Sequence, residues 1–175
     1  GCFGWDGLRC THWTRCTHCT LRNSAPQPRT SLEMSRFPEW LEPMAATLTQ
    51  DRFSGPEWLF ERKFDGIRLL AFKQGSKVRL LSRNKLPQEI PELKAAIAAL
   101  PVRDAILDGE LSWDRHSTYH VFDVLWIDGR DVTELPLEER RALLAALPLQ
   151  APLHRVQEVH GDKPWERACA DGWEG

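Results

Sequence analysis

The stretch Glu61-Arg62-Lys63-Phe64-Asp65-Gly66-Ile67-Arg68 places one lysine between two acids, with an arginine downstream of it. It follows a short apolar segment, residues 58–60, that predicts a strand. On an extended backbone alternate side chains share a face, so Glu61, Lys63 and Asp65 are expected to project together. The pattern predicts an amine between two carboxylates at the end of a sheet. A charged edge strand would give the same pattern, because lysine is common on exposed edges.

Length and composition limit the classes of protein to consider. The chain has 175 residues, of which 42% are hydrophobic and 27% are charged. A chain of this length can bury one hydrophobic core. No apolar run reaches the roughly 20 residues that a membrane span needs, and no secretory leader pattern is present. We therefore expect a cytoplasmic protein that makes no membrane contact.

The net charge of −2 argues against nucleic-acid binding by bulk charge. Phosphate contacts would then have to come from a local group of basic side chains. Two interpretations of the basic residues around the central stretch stay open, a phosphate-binding patch and an ordinary solvated face. These residues are Arg62, Lys63, Arg68, Arg79, Arg83 and Lys85.

The first 35 residues differ in composition from the rest of the chain. Most of the cysteines fall there, and lysine is absent. Cys16-Thr17-His18-Cys19 could bind zinc, with Cys10 or His12 completing a tetrahedral set of ligands. The spacing is irregular and no second pair of this kind follows. We therefore favour a non-native or disordered leader over 1–35, followed by one domain over 36–175.

The spacing of apolar residues predicts the secondary structure that follows the central stretch. Residues 67–72 and 77–82 have the pattern of a hairpin, with Gln74-Gly75-Ser76 at its turn. The other predicted elements are a helix over 89–100, strands over 105–113 and 118–127, a helix from Pro136, a strand over 153–159 and a helix over 164–170. Hairpins outnumber β-α-β units, which favours an α+β domain with antiparallel sheets.

The helix that begins at Pro136 is predicted to be amphipathic. Its leucines, among them Leu144, lie on one side of the helix. Glu138, Glu139 and Arg140 lie on the other side. We therefore expect the leucines to face the core and these three charged residues to face solvent.

Five short motifs follow one another along the chain. They are Lys63-Phe64-Asp65-Gly66-Ile67-Arg68, Ser82-Arg83, Leu107-Asp108-Gly109-Glu110-Leu111, Tyr119-His120-Val121-Phe122-Asp123-Val124-Leu125-Trp126 and Glu174-Gly175. In this order they resemble the nucleotide-binding signatures of ATP-dependent DNA ligases of bacterial type. The first is similar to K-x-D-G-x-R, the third to the D-G-E motif and the fourth to the aromatic F-D motif. The last is similar to the opening of E-G-V-V-x-K.

The resemblance implies a fold and an activity. The fold would be an ATP-grasp-like adenylation domain with antiparallel sheets flanked by helices. It would be incomplete, because the final strands and an OB-fold are expected to be missing. The activity would be sealing of nicks in duplex DNA during repair or recombination, through a lysyl-AMP intermediate, with ATP and Mg²⁺. We expect a monomer, and we expect residues 1–175 alone not to seal nicks.

Lys63 is the catalytic residue that the resemblance implies. Its amine would attack the α-phosphorus of ATP, because a covalent intermediate divides one difficult step into easier ones. An amine reacts in its neutral form, which nearby cations such as Arg68 and Mg²⁺ would favour. Glu61 and Asp65 oppose this effect, so we expect Glu61 to contact the adenine edge and Asp65 a metal or the backbone.

The resemblance also implies the residues that would hold the nucleotide. Arg68 would contact its ribose or phosphate, and Arg83 would face phosphate. Glu110 would hold the ribose hydroxyl or a metal ion, and Glu174 would assist Mg²⁺. Phe122 would stack on the adenine, although an ordinary place in the core would fit its strand as well.

Two alternatives to a DNA ligase stay open. The first is an RNA ligase or an mRNA-capping guanylyltransferase of the same superfamily. The second is a non-catalytic nucleotide-binding or zinc-binding module, in which Lys63 would be dispensable. The aromatic F-D motif and the helix from Pro136 resemble DNA ligases most.

Overall fold

The computed structural model describes residues 13–15, 36–49, 55, 58–113, 117–160 and 163–173. The chain divides into two compact units. The smaller unit consists of Gly1–Thr20, Met44–Lys63 and Gln157–Gly175, and the larger one of Leu21–Pro43 and Phe64–Val156. The cysteine-rich segment proposed as a leader or zinc site, the connection 114–116 and Glu174 lie outside the described residues, apart from 13–15.

The described elements comprise eight strands and three helices. The strands are β1 (Trp13–Arg15), β2 (Thr47–Thr49), β3 (Ile67–Gln74), β4 (Lys77–Ser82), β5 (Asp104–Trp113), β6 (Ser117–Ile127), β7 (Arg130–Asp131) and β8 (Leu153–Arg155). The helices are α1 (Pro91–Ala98), α2 (Leu137–Ala146) and α3 (Pro164–Ala170). A mainly antiparallel sheet accompanied by helices confirms the predicted α+β class.

The larger unit is built on a six-stranded sheet in the order β4-β3-β5-β6-β7, with β8 beside β6. All pairs are antiparallel except β6 with β8, which is parallel. The predicted hairpin of β3 and β4 is confirmed, and Gly75 supplies the positive φ of +56° that its turn needs.

The sheet buries apolar side chains on both faces. Leu69 and Ala71 of β3 belong to the main core, which α1 and α2 cover. Leu70 and Phe72, their neighbours in sequence, belong to a second core. There they pack against the segment around Trp40. Alternation along one strand thus serves two cores, which explains why this part of β3 is an unbroken apolar run.

Strand β6 contains two β-bulges. Asp108 pairs with Asp123, but the next residue of β5, Gly109, pairs with Val121, so Phe122 has no opposite residue. Leu125 also has no opposite residue on β5, because Ile106 pairs with Trp126 and Leu107 with Val124. Each bulge bends the strand and turns a side chain away from strict alternation. The sequence pattern predicted the extent of this strand but not these irregularities.

The helices confirm the predicted positions, with one correction. Helix α1 is shorter than the predicted 89–100, although Leu93 and Ile97 are buried as its periodicity requires. In α2, Leu144 is buried as predicted. The expectation that Arg140 faces solvent is wrong, because Arg140 is buried. The helical period gives the position of Arg140 on the helix. It could not predict the burial, because that depends on an ion pair with a residue of a distant strand.

Two predicted strands also need correction. Residues 58–60 form no strand, and the nearest pairing is the isolated bridge of Glu61 with Glu158 in the smaller unit. The predicted strand 153–159 is reduced to β8. The smaller unit also contains α3 and the antiparallel pair of β1 with β2. Among the described residues, no helix combines the length and apolarity that crossing a bilayer requires.

Candidate functional site

One row of polar side chains crosses three neighbouring strands of the larger unit. Arg68 of β3 pairs with Glu110 of β5, and Glu110 pairs with His120 of β6. Directly paired residues of antiparallel strands project to the same face, with Cβ atoms roughly 5 Å apart. All three side chains are only partly buried. We call Arg68, Glu110 and His120 the cross-strand row.

Asp108 fixes the guanidinium of Arg68. The Nε of Arg68 donates to Oδ1 of Asp108 at 3.0 Å, and its Nη2 donates to Oδ2 at 2.7 Å. The Asp108 side chain is 3% exposed, whereas that of Arg68 is 22% exposed. A bidentate pair holds the guanidinium plane in one orientation. Arg68 is therefore oriented from the interior and still reaches the surface.

The pKa values of this pair reflect its burial. Burial raises the pKa of Asp108, and the hydrogen bond and charge of Arg68 offset only part of this. Burial disfavours the charge on Arg68, but Asp108 and then Glu110 outweigh it, so the pKa of Arg68 is raised. The guanidinium remains a permanent cation at this end of the sheet.

Phe122 lies beside the row. The Cζ of Arg68 is 5.5 Å from the centroid of its ring, which is within range of a cation–π interaction. Phe122 is half-buried and belongs to neither core cluster. Because it sits at a bulge, its direction does not follow the alternation of the strand.

Glycine is required at two motif positions because the backbone is crowded there. A Cβ on Gly66 would lie 2.1 Å from the carbonyl oxygen of Leu111. A Cβ on Gly109 would lie 2.5 Å from the carbonyl oxygen of His120 and 2.7 Å from Cε2 of Tyr119. Both distances are far below a carbon contact. The glycines therefore allow close strand approach beneath the row.

Tyr119 anchors the row from the core side. Its side chain is fully buried, and its hydroxyl lies 2.7 Å from the carbonyl oxygen of Leu69 and 3.0 Å from that of Leu107, to which it can donate. Burial, and then the charge of Asp108, raises the pKa of Tyr119 well above its ordinary value. The hydroxyl thus links β3 and β5 under the row.

His120 lies at the end of the row, where its ring contacts other side chains. Its ring stacks on that of Phe64, with 3.6 Å between centroids and 10° between planes. Its Nε2 lies 3.0 Å from Oγ of Ser112. His154 of β8 is the parallel partner of His120, and the two ring centroids are 6.3 Å apart.

Asp123 joins the sheet to α2. It accepts hydrogen bonds from Nε and Nη2 of Arg140, at 2.9 and 3.0 Å. The same arginine donates through Nη1 to the carbonyl oxygen of Leu135 at 2.6 Å. The backbone N–H of Val124 also donates to Asp123. This acid of the F-D motif therefore holds a buried arginine in place.

Lys63 and Glu61 belong to the smaller unit. Lys63 is exposed, and Glu61 is half-buried and forms the bridge with Glu158. No strand forms over 62–66, so the expectation that Glu61, Lys63 and Asp65 share a strand face is wrong. The neighbouring Arg62 lies over the ring of Trp173, 5.7 Å from its centroid.

Arg83 lies at an exposed turn. Lys85 donates its backbone N–H to the carbonyl oxygen of Ser82 at 2.8 Å and has a φ of +63°. Ser82 pairs with Leu69, so Arg83 follows the last rung of the ladder, at the end of the sheet where Arg68 lies. The predicted strand over 77–82 ends, as expected, just before Arg83.

Two other basic residues of the possible phosphate patch cover aromatic rings. The Cζ of Arg79 is 4.9 Å from the ring centroid of Phe72, and its Nη2 donates to the carbonyl oxygen of Glu39. The Nζ of Lys85 lies 5.1 Å from the ring centroid of Trp40. These two side chains help to enclose the second core.

The larger unit thus brings together Arg68, Glu110 and Phe122, three of the residues expected to hold a nucleotide. Asp108 and Asp123 have structural roles that the motifs did not predict. Each is an acidic residue within an apolar strand. Because a buried acid needs a charged partner, this position in the sequence was itself a signal of an ion pair. Among the described residues, no group of three or more histidine, cysteine or acidic side chains is arranged to hold a metal ion.

Comparisons with known proteins place these residues in a family context. The family model described as ATP dependent DNA ligase domain matches residues 43–119. The Multifunctional non-homologous end joining protein LigD of Pseudomonas aeruginosa is 34% identical over 133 residues, which cover 63% of this chain and 16% of that protein. A Probable DNA ligase of Pseudarthrobacter chlorophenolicus is 35% identical, over 55% of this chain and 23% of its own length.

A solved structure is similar as well. The mycobacterial DNA ligase D complexed with ATP and MES has a TM-score of 0.55 and 29% sequence identity. The match covers 67% of this chain and 46% of that structure. The chain therefore spans less than a quarter of the length of these two curated relatives and less than half of the length of the solved structure.

Proposed function

We propose that this chain belongs to the ATP-dependent DNA ligase family and that it supplies the part of such a ligase that binds ATP and accepts AMP on Lys63. We further propose that the domain extends over 36–175 and is ATP-grasp-like. The matched residues 43–119 include the central lysine and the next two motifs, Ser82-Arg83 and Leu107-Asp108-Gly109-Glu110-Leu111. Activity on DNA is proposed for the longer protein of which such a segment is a part.

The observation that carries this proposal is the arrangement of Arg68 on Asp108 beside Glu110 and Phe122. A buried carboxylate holds the guanidinium in one orientation, and its exposed part can meet an anion. An aromatic ring lies next to it. A preorganised cation beside an aromatic face suits the phosphates and base of a nucleotide.

In the proposed reaction ATP is a substrate. The neutral amine of Lys63 attacks the α-phosphorus, a nitrogen–phosphorus bond forms, and the bond to the β-phosphate oxygen breaks. Pyrophosphate leaves, and the proton of the amine passes to solvent. Arg68 would contact the nucleotide and disfavour the charged amine by its own charge. Glu61 would contact the adenine edge and Phe122 its face, while Arg83 would face phosphate.

A divalent cation also fits the residues present. Mg²⁺ is held by one or two carboxylates together with the phosphates of a nucleotide, so it does not need a cage of protein ligands. Glu110 of the cross-strand row is the described carboxylate proposed for this role, and Glu174 is proposed to assist. When bound, the cation would neutralise phosphate charge.

The proposed final substrate is nicked duplex DNA. The relatives named for end joining and the Probable DNA ligase support a role in DNA repair or recombination. A monomer that acts in the cytoplasm is proposed as the working form.

Transfer of radioactive label from [α-³²P]ATP tests the proposal. The whole chain is incubated with ATP and Mg²⁺, and covalent label is measured on the denatured protein. We expect an acid-labile label of the phosphoramidate type on wild-type protein and none on Lys63→Ala. Lys77→Ala, which removes an exposed lysine at the hairpin turn, is the matched control and should keep the label.

Two outcomes would contradict the assignment. Undiminished labelling of Lys63→Ala would show that another residue is the nucleophile. Labelling from [α-³²P]GTP in preference to ATP would favour a capping guanylyltransferase. Assays of the longer protein on nicked DNA and nicked RNA would separate a DNA ligase from an RNA ligase.

A further inference from the structure

His120 is held on two sides. Its imidazole lies flat against the ring of Phe64, with 3.6 Å between centroids. At its edge, Nε2 lies 3.0 Å from the hydroxyl oxygen of Ser112 on β5. The hydrogen bond restrains rotation of the imidazole in its own plane, and the stack restrains it across that plane. His120 is thus an oriented group and not a mobile surface side chain.

The partner in this stack lies immediately before the sheet. The ladder of β3 with β5 begins at the pair of Ile67 with Leu111, and no strand covers 62–66. Phe64 therefore meets β6 through its side chain before the strand begins. The close approach of Gly66 to Leu111 fixes the chain again two residues later.

Phe64 directly follows Lys63 in the sequence. Consecutive Cα atoms are about 3.8 Å apart, so a fixed Phe64 limits where the backbone of Lys63 can be. A nucleophile contributes most when it is held near its attack geometry, and a displacement of about 1 Å can lower the rate by about a hundredfold. An exposed lysine on a segment without a strand has particular need of such an anchor.

We propose that His120 is a positioning residue, which holds Phe64 against β6 and thereby orients Lys63 for transfer of AMP. This inference rests on the proposed function, because it concerns the same lysine. His120 itself touches no reacting atom in this proposal. The stack carries the effect, and the hydrogen bond to Ser112 sets the plane of the imidazole.

Three variants separate the stack from other effects of the histidine. His120→Ala removes the stack and the hydrogen bond. His120→Phe keeps a flat ring for stacking but loses the bond to Ser112. His154→Ala removes an exposed imidazole from the neighbouring strand and serves as the matched control. The rate of label transfer from [α-³²P]ATP in a single turnover, and its dependence on ATP concentration, are measured for each.

We expect His120→Ala to lower the maximal rate of label transfer by about tenfold to a hundredfold. The ATP concentration that gives half the maximal rate should stay within about twofold of wild type, because positioning acts on the chemical step and not on ground-state binding. His120→Phe should recover most of the rate, and His154→Ala should match wild type. Equal rates for His120→Ala and wild type would overturn the inference, as would a His120→Phe rate as low as that of His120→Ala.

Hydrogen exchange without nucleotide gives a second readout. Backbone amides of residues 62–66 should exchange faster in His120→Ala than in wild type, and His120→Phe should restore protection. Unchanged exchange in His120→Ala would overturn the inference even if the rate fell. If wild-type protein itself took no label, the proposed function would fail and this inference with it. Label on wild type with no effect of His120→Ala would overturn the inference alone.

Discussion

Arg68 and Asp108 form their bidentate ion pair diagonally across β3 and β5, since Arg68 is in register with Glu110 and Asp108 with Leu70. The diagonal leaves Glu110 beside the guanidinium without making it the bidentate partner. Two acids of one D-G-E motif therefore have different environments, one buried and one only partly buried. The buried acid orients the arginine, and Glu110 is the acid that we propose to hold the ribose hydroxyl or a metal ion.

Replacing the arginine should make stability depend on pH in a defined direction. In Arg68→Met, Asp108 loses the hydrogen bond and charge that lower its pKa, so burial raises the pKa further above its ordinary value of 3.8. The folded protein then binds more protons than the unfolded chain, and stability falls as pH rises through this range. We expect a loss of about 3 kcal/mol in unfolding free energy near neutral pH, shrinking towards about pH 4.

Urea unfolding at a series of pH values checks this prediction. Lys94→Met is the matched control, because its ion-pair partner Glu89 is 77% exposed and the pair should contribute little. A loss in Arg68→Met that stays constant across the pH range would contradict the role given to Asp108.

Gly109→Ala should destabilise the fold through backbone crowding. The added Cβ would meet the carbonyl oxygen of His120 and the ring of Tyr119, and neither can move without disturbing the sheet. We expect a loss of about 3 kcal/mol, at the upper end for overpacking. Gly75→Ala is the control, since no atom would lie within 4 Å of the added Cβ. Only the positive φ of Gly75 opposes this change, and we expect it to lower the unfolding free energy by about 1 kcal/mol. Equal losses in the two variants, measured by urea unfolding, would refute this explanation.

Phe122→Leu should weaken ATP binding more than it weakens the fold. The ring lies outside both core clusters and faces Arg68, so its loss removes an aromatic surface for a base. We expect about a tenfold loss of ATP affinity, which is the size of one aromatic stacking contact. Calorimetric titration with ATP and urea unfolding measure the two effects.

Val124→Ala provides the opposite control for that experiment. Val124 lies on the same strand but is fully buried in the main core, so its truncation should reduce stability and leave ATP affinity unchanged. If Phe122→Leu behaved like Val124→Ala, the ring would be an ordinary part of the core.

The sequence predicted those parts of the fold that depend on local periodicity. The hairpin of β3 and β4 and the positions of β5 and β6 follow from apolar runs and turn residues. The strand predicted over 58–60 does not form, which shows the limit of prediction from apolar runs. Short apolar runs become strands only when a partner is present along their length, and Glu61 finds a single bridge in Glu158.

The relationships that build the candidate site join residues far apart in sequence. Arg140 looked like a solvent-facing residue on its helix, but Asp123 and the carbonyl oxygen of Leu135 make its burial favourable. His120 and Phe64 stack although no local pattern connects them. Arg68, Glu110 and Phe122 belong to three separate motifs and lie close together in the structure. A bulge that no periodicity predicts sets the direction of Phe122.

The parallel strand β8 has a consequence for how the chain assembles. The ladders of β3 with β4 and of β5 with β6 join strands that follow one another in the sequence, but β8 reaches β6 only after α2 has been made. Pairing between distant segments forms slowly, because a long loop must close first. Until then, the edge of β6 at Tyr119, His120 and Val121 lacks β8 and can pair with another chain. We therefore expect newly made or partly unfolded chains to aggregate through the strand segment that carries His120.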